Sequence, residues 1–306
     1  MASVRSVARL PRLSVIPPPY RNGTCRVDTS DDLHHALNGT ARAVQLQEGT
    51  VGPSSRYAAL RLAALTKTFG RKMVVDHIDL EVPRGSFFGL VGPNGAGKTT
   101  SLSMAVGLLR PDGGRAEIFG LDAWADPARA KKLIGVLPDG LSMPERLTGR
   151  ELLRFTGLLR GMELKEVERR AGELLEVLEL DEAERTLVME YSTGMRKKIG
   201  LATALLHAPR LLVLDEPLEA VDPVSAASIK VILQRFVGSG GSVVFSSHVM
   251  ALVEQLCDHV AVIASGRVVA SGTLEAVRAG RSLEERFVSL VGGQVPEVGE
   301  LAWLSS

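Results

Sequence analysis

The segment that most constrains this chain is a glycine-rich turn with the pattern GxxxxGK[ST], which here reads Gly92-Pro93-Asn94-Gly95-Ala96-Gly97-Lys98-Thr99. An apolar run at residues 86–91 precedes it, and a helical pattern follows from about Lys98. Glycines let successive backbone N–H groups point into one concavity, and a helix N-terminus favours anions. The segment therefore predicts a phosphate-binding loop between a buried strand and a helix.

The loop also supplies side chains for a nucleoside triphosphate and its metal ion. Lys98 is expected to reach the β and γ phosphates. The Thr99 hydroxyl is expected to bind Mg²⁺, because Mg²⁺ combines a few hard oxygen ligands with phosphate oxygens. The nucleotide-binding residues predicted from this segment are Gly92, Pro93, Asn94, Gly95, Ala96, Gly97, Lys98, Thr99 and Thr100.

A second buried run, at residues 211–214, ends in Asp215 and Glu216. Open α/β sheets bind ligands at the carboxyl ends of their strands, so this strand would bring Asp215 to the edge where the phosphate loop lies. There Asp215 would orient the magnesium ion, and Glu216 would polarise an attacking water. The loop and this run together indicate hydrolysis of a nucleoside triphosphate.

Short apolar runs alternate with helical patterns, which predicts an α/β fold with a mainly parallel sheet and right-handed crossovers. Between residues 147 and 190, Leu and Val recur at helical spacings among Arg and Glu, which predicts an inserted amphipathic helical block. The first two strand candidates are expected to form a β-rich edge. The candidates are residues 58–65, 74–82, 134–137, 211–214, 242–245 and 260–263.

Bulk properties narrow the class of protein. The 306 residues carry a formal net charge of +1, so there is no global electrostatic case for a nucleic-acid partner. No stretch approaches the ~18 apolar residues that a membrane-spanning helix needs, so the chain is expected to be soluble. Cys25 and Cys257 lack metal-ligand spacing and indicate reduced thiols in a cytosolic protein.

Residues 1–56 differ from the rest of the chain. The first 26 residues carry five arginines and no acidic residue, and neither helical nor strand periodicity persists. We expect a disordered extension here. An assigned start codon upstream of the true one is an equally good explanation of this segment.

A second glycine-containing turn, Tyr191-Ser192-Thr193-Gly194-Met195, stands just ahead of an Arg/Lys-rich helix. With the phosphate loop and the Asp215-Glu216 pair, it makes residues 58–275 resemble the nucleotide-binding subunits of ABC transporters. The turn lies where that family carries its LSGGQ signature. The resemblance implies that Ser192, Thr193, Gly194 and Met195 face the phosphate of an ATP molecule held by the opposite subunit.

Three smaller features are similar to the same family. Val221-Asp222-Pro223 resembles the loop that crosses the dimer interface, which implies an interface role for Asp222. His248 matches the switch histidine that contacts the γ-phosphate, so it is a catalytic candidate beside Glu216. Phe69 matches the aromatic residue that stacks on adenine.

Two positions depart from the family pattern. Asp139 stands where the family usually has a glutamine, in the loop that joins the core to the helical block. An aspartate can still bind Mg²⁺ or a bridging water, so Asp139 is a third metal-ligand candidate with Thr99 and Asp215. Thr193 replaces a glycine, and its branched side chain is expected to crowd the phosphate. Both changes bear on the rate of hydrolysis more than on the reaction type.

The resemblance implies a P-loop NTPase fold of the ABC ATPase type, with a RecA-like core sheet, an antiparallel β edge and an inserted helical subdomain. The expected ATPase domain covers residues 57–275, with the insertion at about residues 141–195, and a short C-terminal tail covers residues 276–306. Residues 282–290 resemble the tail of the subgroup linked to drug and antibiotic-resistance exporters, although a generic amphipathic helix is the alternative.

The resemblance further implies ATP and Mg²⁺ as cofactors and a homodimer or heterodimer of ATPase subunits. An integral membrane permease on a separate chain would hold this subunit at the cytoplasmic face of the membrane and use its ATP hydrolysis for export. One alternative is a soluble ABC ATPase without a transporter, although the single cassette lacks the charged linker or long coiled coils of such proteins. Another is a regulatory cassette that hydrolyses ATP weakly, which Asp139 and Thr193 motivate.

Overall fold

The computed structural model describes residues 58–140 and 143–291. The expected disorder of residues 1–56 lies outside these ranges, as do residues 292–306 of the predicted C-terminal tail. No helix in the described ranges is long and apolar enough to cross a bilayer.

The described strands form two sheets. The first is antiparallel, with the order β2-β1-β4-β5, and the second has the order β10-β9-β3-β8-β7-β6. In the second sheet all pairings are parallel except that of β9 with β10. The strands are β1 (Ala58–Phe69), β2 (Lys72–Pro83), β3 (Phe87–Val91), β4 (Gly113–Ile118), β5 (Leu121–Asp122), β6 (Ile134–Leu137), β7 (Leu211–Asp215), β8 (Ser242–Ser247), β9 (His259–Ala264) and β10 (Arg267–Thr273).

The predicted mainly parallel core is confirmed. The predicted β edge is antiparallel as expected, but its strands form a sheet of their own. Both of its first strands are longer than predicted, because the chain continues in paired, extended conformation to Phe69 and starts again at Lys72. In the mainly parallel sheet, β10 pairs antiparallel with β9 and forms the edge opposite to β6.

Helices cover both faces of the parallel sheet. They are α1 (Lys98–Ala105), α2 (Pro127–Leu133), α3 (Gly149–Leu159), α4 (Leu164–Val177), α5 (Thr193–Leu205), α6 (Pro223–Gly238), α7 (Met250–Leu256), α8 (Leu274–Arg278) and α9 (Leu283–Val291), with a short 3₁₀ helix at Val188–Glu190. Helices α3 and α4, with the 3₁₀ helix, lie in the chain between β6 and β7.

The core has two parts because neighbouring residues of a strand point to opposite faces. On β3, Phe88 and Leu90 join the cluster formed with the antiparallel sheet and α1. Phe87 and Val91 join the cluster that includes α5, α6 and α7. Every residue of β3 is buried, which explains its continuous apolar sequence.

Helix α3 shows why the helical block forms where the sequence predicts it. Thr148 and Glu151 form a capping box, in which the Thr148 hydroxyl accepts the Glu151 N–H and the Glu151 carboxylate accepts the Thr148 N–H. Leu152 and Leu153 are buried in the core. On the same helix Leu159 remains 72% exposed, so one apolar side of α3 has no cover from the described chain.

The close approach of β6 and α5 leads to a stability prediction. A Cβ atom at Gly135 would lie 2.1 Å from the Ala204 carbonyl oxygen, so Gly135→Ala must push strand and helix apart. Overpacking of this kind lowers the free energy of unfolding by roughly 1–3 kcal/mol, which urea denaturation would measure. Gly172→Ala is the control, because its Cβ would meet nothing within 4 Å. The control is expected to gain about 0.5–1 kcal/mol from helix propensity, and similar losses in both variants would contradict the prediction.

Candidate nucleotide site

The glycine-rich segment forms a loop between the end of β3 and the start of α1. Gly97 precedes α1 with φ of 104°, a conformation that L side chains rarely adopt. A Cβ atom there would also lie 2.7 Å from the Val74 carbonyl oxygen. The loop therefore needs glycine at its last position, and it ends at the N-terminus of α1, where backbone N–H groups are free for an anion.

Lys98 lies against the inner side of this loop. Its side chain is only 6% exposed, and its Nζ donates hydrogen bonds to the carbonyl oxygens of Gly92 at 2.8 Å and Pro93 at 3.4 Å. The same Nζ lies 3.7 Å from Oε1 of Glu216. The ammonium group of Lys98 is thus held at the phosphate loop, beside the Glu216 carboxylate, which directly follows β7.

Asp215 and Glu216 come to this edge through the pairing of β7 with β8, which places Asp215 opposite Ser246. The Ser246 hydroxyl donates to Oδ1 of Asp215 and accepts the Glu216 N–H at 3.0 Å. All three residues are buried. Ser246 therefore fixes two acidic residues at once, a role that the sequence analysis did not assign to it.

Glu216 has an unusual backbone, with φ of 45°. A non-glycine residue in this region costs on the order of 1–3 kcal/mol and persists only where its surroundings hold it. The conformation places Oε1 of Glu216 3.2 Å from Nδ1 of His248. The Glu216 carboxylate thus lies between the ammonium group of Lys98 and the ring of His248.

A cavity of about 40 Å³ is lined by Glu216, Ser246 and His248 together with residues 217–219, 247, 249 and 252. One water needs roughly 10–15 Å³, so the cavity is large enough for a water, and Glu216, Ser246 and His248 supply polar groups in its lining. The arrangement provides a carboxylate that could accept a proton from that water.

The second turn, at residues 192–195, starts helix α5. The Ser192 hydroxyl caps the helix by accepting the Met195 N–H at 3.2 Å. Ser192 and Thr193 are exposed. Gly194 is buried, and a Cβ atom there would lie 2.9 Å from Oδ2 of Asp222. The turn and the Asp222 loop therefore touch within one chain.

Asp222 caps helix α6. Its Oδ1 accepts the Ser225 N–H at 2.9 Å and the Val224 N–H at 3.1 Å. These bonds, that from Ser225 above all, hold the pKa of Asp222 below its usual value. Asp222 therefore stays ionised at neutral pH and holds the start of α6 beside Gly194.

Three other sequence candidates are Thr99, Phe69 and Asp139. Thr99 lies in the first turn of α1 with an exposed side chain. Phe69 ends β1 with half of its surface exposed. Asp139 follows β6, and its Oδ1 lies 3.7 Å from Nζ of Lys197, a residue of α5. Lys197, like Ser246, was not among the predicted site residues.

The known proteins that this chain is similar to are ATP-binding subunits of ABC transporters. A family model described as ABC transporter matches residues 75–219. Over 215 residues the chain is 39% identical to the daunorubicin/doxorubicin resistance ATP-binding protein DrrA of Streptomyces peucetius. The aligned region covers 70% of this chain and 65% of that protein. Over 214 residues it is 36% identical to the linearmycin resistance ATP-binding protein LnrL of Bacillus subtilis strain 168, covering 70% of this chain and 69% of that protein.

A solved structure described as the ATP-binding subunit of an ABC transporter superposes with a TM-score of 0.71 at 30% identity. The match covers 76% of this chain and 99% of that one.

The Ser246 contacts give a prediction for this site. Ser246→Ala removes the acceptor of the buried Glu216 N–H and a donor to Asp215, so the free energy of unfolding should fall by roughly 1–3 kcal/mol. Chemical denaturation would measure the change. Ser239→Ala is the control, since its exposed hydroxyl donates to the Phe236 carbonyl at the end of α6, and a change within about 0.5 kcal/mol is expected there. Wild-type stability in Ser246→Ala would rule out the proposed anchoring role.

Proposed function

Since the chain belongs to the ATP-binding proteins of ABC transporters, we propose that it hydrolyses ATP to drive export through a separate membrane permease. ATP binding and hydrolysis are the activity of this class of subunit, and the ABC ATPase fold is present. The names of its similar proteins describe resistance to daunorubicin/doxorubicin and to linearmycin. That shared theme is the support for export as the direction of transport.

One observation carries the catalytic part of the proposal. The Glu216 carboxylate lies 3.7 Å from Nζ of Lys98 and 3.2 Å from Nδ1 of His248, next to a cavity that can hold water. In this arrangement Glu216 polarises the attacking water, and Lys98 neutralises charge on the β and γ phosphates. His248 contacts the γ-phosphate and keeps Glu216 in place.

The residues around the loop fit ATP with Mg²⁺. Asp215 is a buried carboxylate held by Ser246, and Thr99 offers an exposed hydroxyl at the start of α1. These hard oxygens suit Mg²⁺, so Asp215 and Thr99 would hold the ion, and it would supply positive charge that neutralises the phosphates. Asp139 is a third candidate ligand, although its carboxylate pairs with Lys197. The exposed ring of Phe69 is available to stack on adenine.

The exposed surface around the turn at residues 192–195, called here the signature turn, favours a dimer. Ser192 and Thr193 lie on the surface. Val224, next to the Asp222 cap, is 70% exposed, and Val249, next to His248, is 47% exposed. These apolar side chains, beside the loops that carry Asp222 and His248, are best accounted for by a partner that covers them. We propose a head-to-tail dimer in which the phosphate loop of each copy faces residues 192–195 of the other.

The helical block offers a surface for the permease. Phe155, Leu158 and Leu159 of α3 are each about half exposed or more. Apolar side chains grouped on one helix mark a protein-binding surface. We propose that a cytoplasmic segment of an integral membrane permease covers this side of α3, which places the subunit at the cytoplasmic face of the membrane.

The partner can be tested by affinity purification. The tagged native protein should co-purify from gently solubilised membranes with a polytopic membrane protein in near-equal amount, identified by mass spectrometry. Leu159→Glu on the exposed side of α3 should reduce that recovery, while Val231→Glu, at an exposed position of α6, should not. Recovery with ribosomes or DNA alone would contradict a transporter role and leave the ATPase chemistry in place.

The catalytic roles predict a trapped dimer. Glu216→Gln keeps the size of the side chain but removes its negative charge, so turnover should fall by about 100-fold or more while ATP still binds. Light scattering with ATP should then show a dimer. Lys98→Ala is the control, because loss of the phosphate contact should abolish both nucleotide binding and dimer formation. A Glu216→Gln protein that stays monomeric with saturating ATP would contradict the proposed dimer.

A further inference from the structure

Three consecutive basic residues follow the signature turn on α5, and each pairs with a carboxylate from a different segment of the chain. The pairs are Arg196 with Glu145 at 3.2 Å, Lys197 with Asp139 at 3.7 Å and Lys198 with Glu179 at 2.9 Å. Arg196 and Lys198 thereby connect α5 to the segments before α3 and after α4. Lys197 is different, because besides Asp139 it also contacts Glu216, the candidate catalytic residue.

The Lys197 ammonium group donates a hydrogen bond of 2.9 Å to the backbone carbonyl oxygen of Glu216. Its side chain is only 15% exposed, so water offers little competition for this bond. An ammonium group has three donors and can serve a carbonyl and a carboxylate together. Lys197 therefore lies between the carboxylate of Asp139 and the backbone of Glu216.

The carbonyl contact matters because of the Glu216 backbone. Its N–H donates to the Ser246 hydroxyl, and its carbonyl accepts from Lys197 and also from the Glu219 N–H, so a side chain holds this residue on each side. Between them they maintain the φ of 45° that directs the carboxylate to His248. Without the Lys197 bond, the Glu216 carbonyl keeps the longer bond of 3.3 Å from the Glu219 N–H. That bond alone holds the carbonyl less firmly, so the backbone can relax towards an ordinary conformation, which would move the carboxylate.

We propose that Lys197 is a positioning residue for ATP hydrolysis, and that Asp139 controls it through the ion pair. This inference rests on the ATPase function proposed above. Asp139 belongs to the segment that leads from β6 towards the helical block. A shift of that segment changes where the Lys197 ammonium group lies, and the carbonyl bond carries the change to Glu216. The contact gives a route from the helical block to the carboxylate that activates water.

The test uses steady-state ATPase kinetics of the full chain, with fluorescent-nucleotide titration for affinity. Lys197→Met keeps much of the side-chain length but removes the donors, and misplacement of a catalytic group by a fraction of an ångström to 1 Å costs about 10- to 100-fold in kcat. We expect that loss in kcat, with the KM and the nucleotide affinity within about twofold of wild type, as for an interaction that acts on the chemical step. Lys197→Arg, which keeps the charge and donors, should recover most of the rate.

Lys198→Met is the matched control, since it removes a neighbouring lysine whose ion pair with Glu179 does not reach Glu216. Its kcat per folded molecule should stay close to that of wild type. A wild-type kcat in Lys197→Met would overturn the inference. So would a parallel loss of nucleotide affinity, or an equal loss of kcat in both lysine variants, because each points to a general structural effect.

Asp139→Asn tests the same link from the other side and remains available if Lys197→Met does not fold. It should lower kcat several-fold, by less than Lys197→Met, and have little further effect when combined with Lys197→Met, because the two residues act in series. Additive losses, or an unchanged kcat in Asp139→Asn, would overturn the control by Asp139. Absence of ATP turnover in the wild-type protein would instead contradict the proposed function itself.

Discussion

The parallel pairing of β3, β8 and β7 is the constraint on which the site depends. It aligns the carboxyl ends of strands that are far apart in the chain, so the phosphate loop, His248 and the pair Asp215-Glu216 emerge at one edge. The strands can lie side by side in this way only because both faces of the sheet are covered by apolar layers. The chemistry at the edge and the packing of the sheet are therefore two results of one strand order.

Hydrogen bonds from neighbouring elements fix the backbone of Glu216 and the side chain of Asp215. Ser246 connects two neighbouring strands by bonding Asp215 and the Glu216 N–H. Lys197, on α5, donates to the carbonyl oxygen of Glu216. The resulting Glu216 conformation is unfavourable in isolation. Residues from β8 and α5 therefore share the task of holding the candidate base, and helix α5 also presents the signature turn.

The sequence was sufficient to predict the parallel core, and its local motifs were sufficient to propose candidate site residues. Lys98 ends a glycine-rich loop, and Asp215 and Glu216 end an apolar run, so neighbouring residues alone make them candidates. The roles of Ser246 and Lys197 could not be found in this way, because their partners are distant in sequence and the contacts arise only when strands and helices assemble. The assigned roles of all the site residues remain predictions, although the structure places Lys98 and His248 beside Glu216.

The left-handed backbone of Glu216 has a consequence for attempts to stabilise this protein. Screens for thermostable variants favour substitutions that relieve local strain, and glycine at a positive φ is a common solution. At this position such a gain would remove the carboxylate, and a milder relaxation would turn it away from His248. Part of the folding free energy is thus committed to keeping one side chain in place, and the most stable form of this chain is not expected to be the most active one.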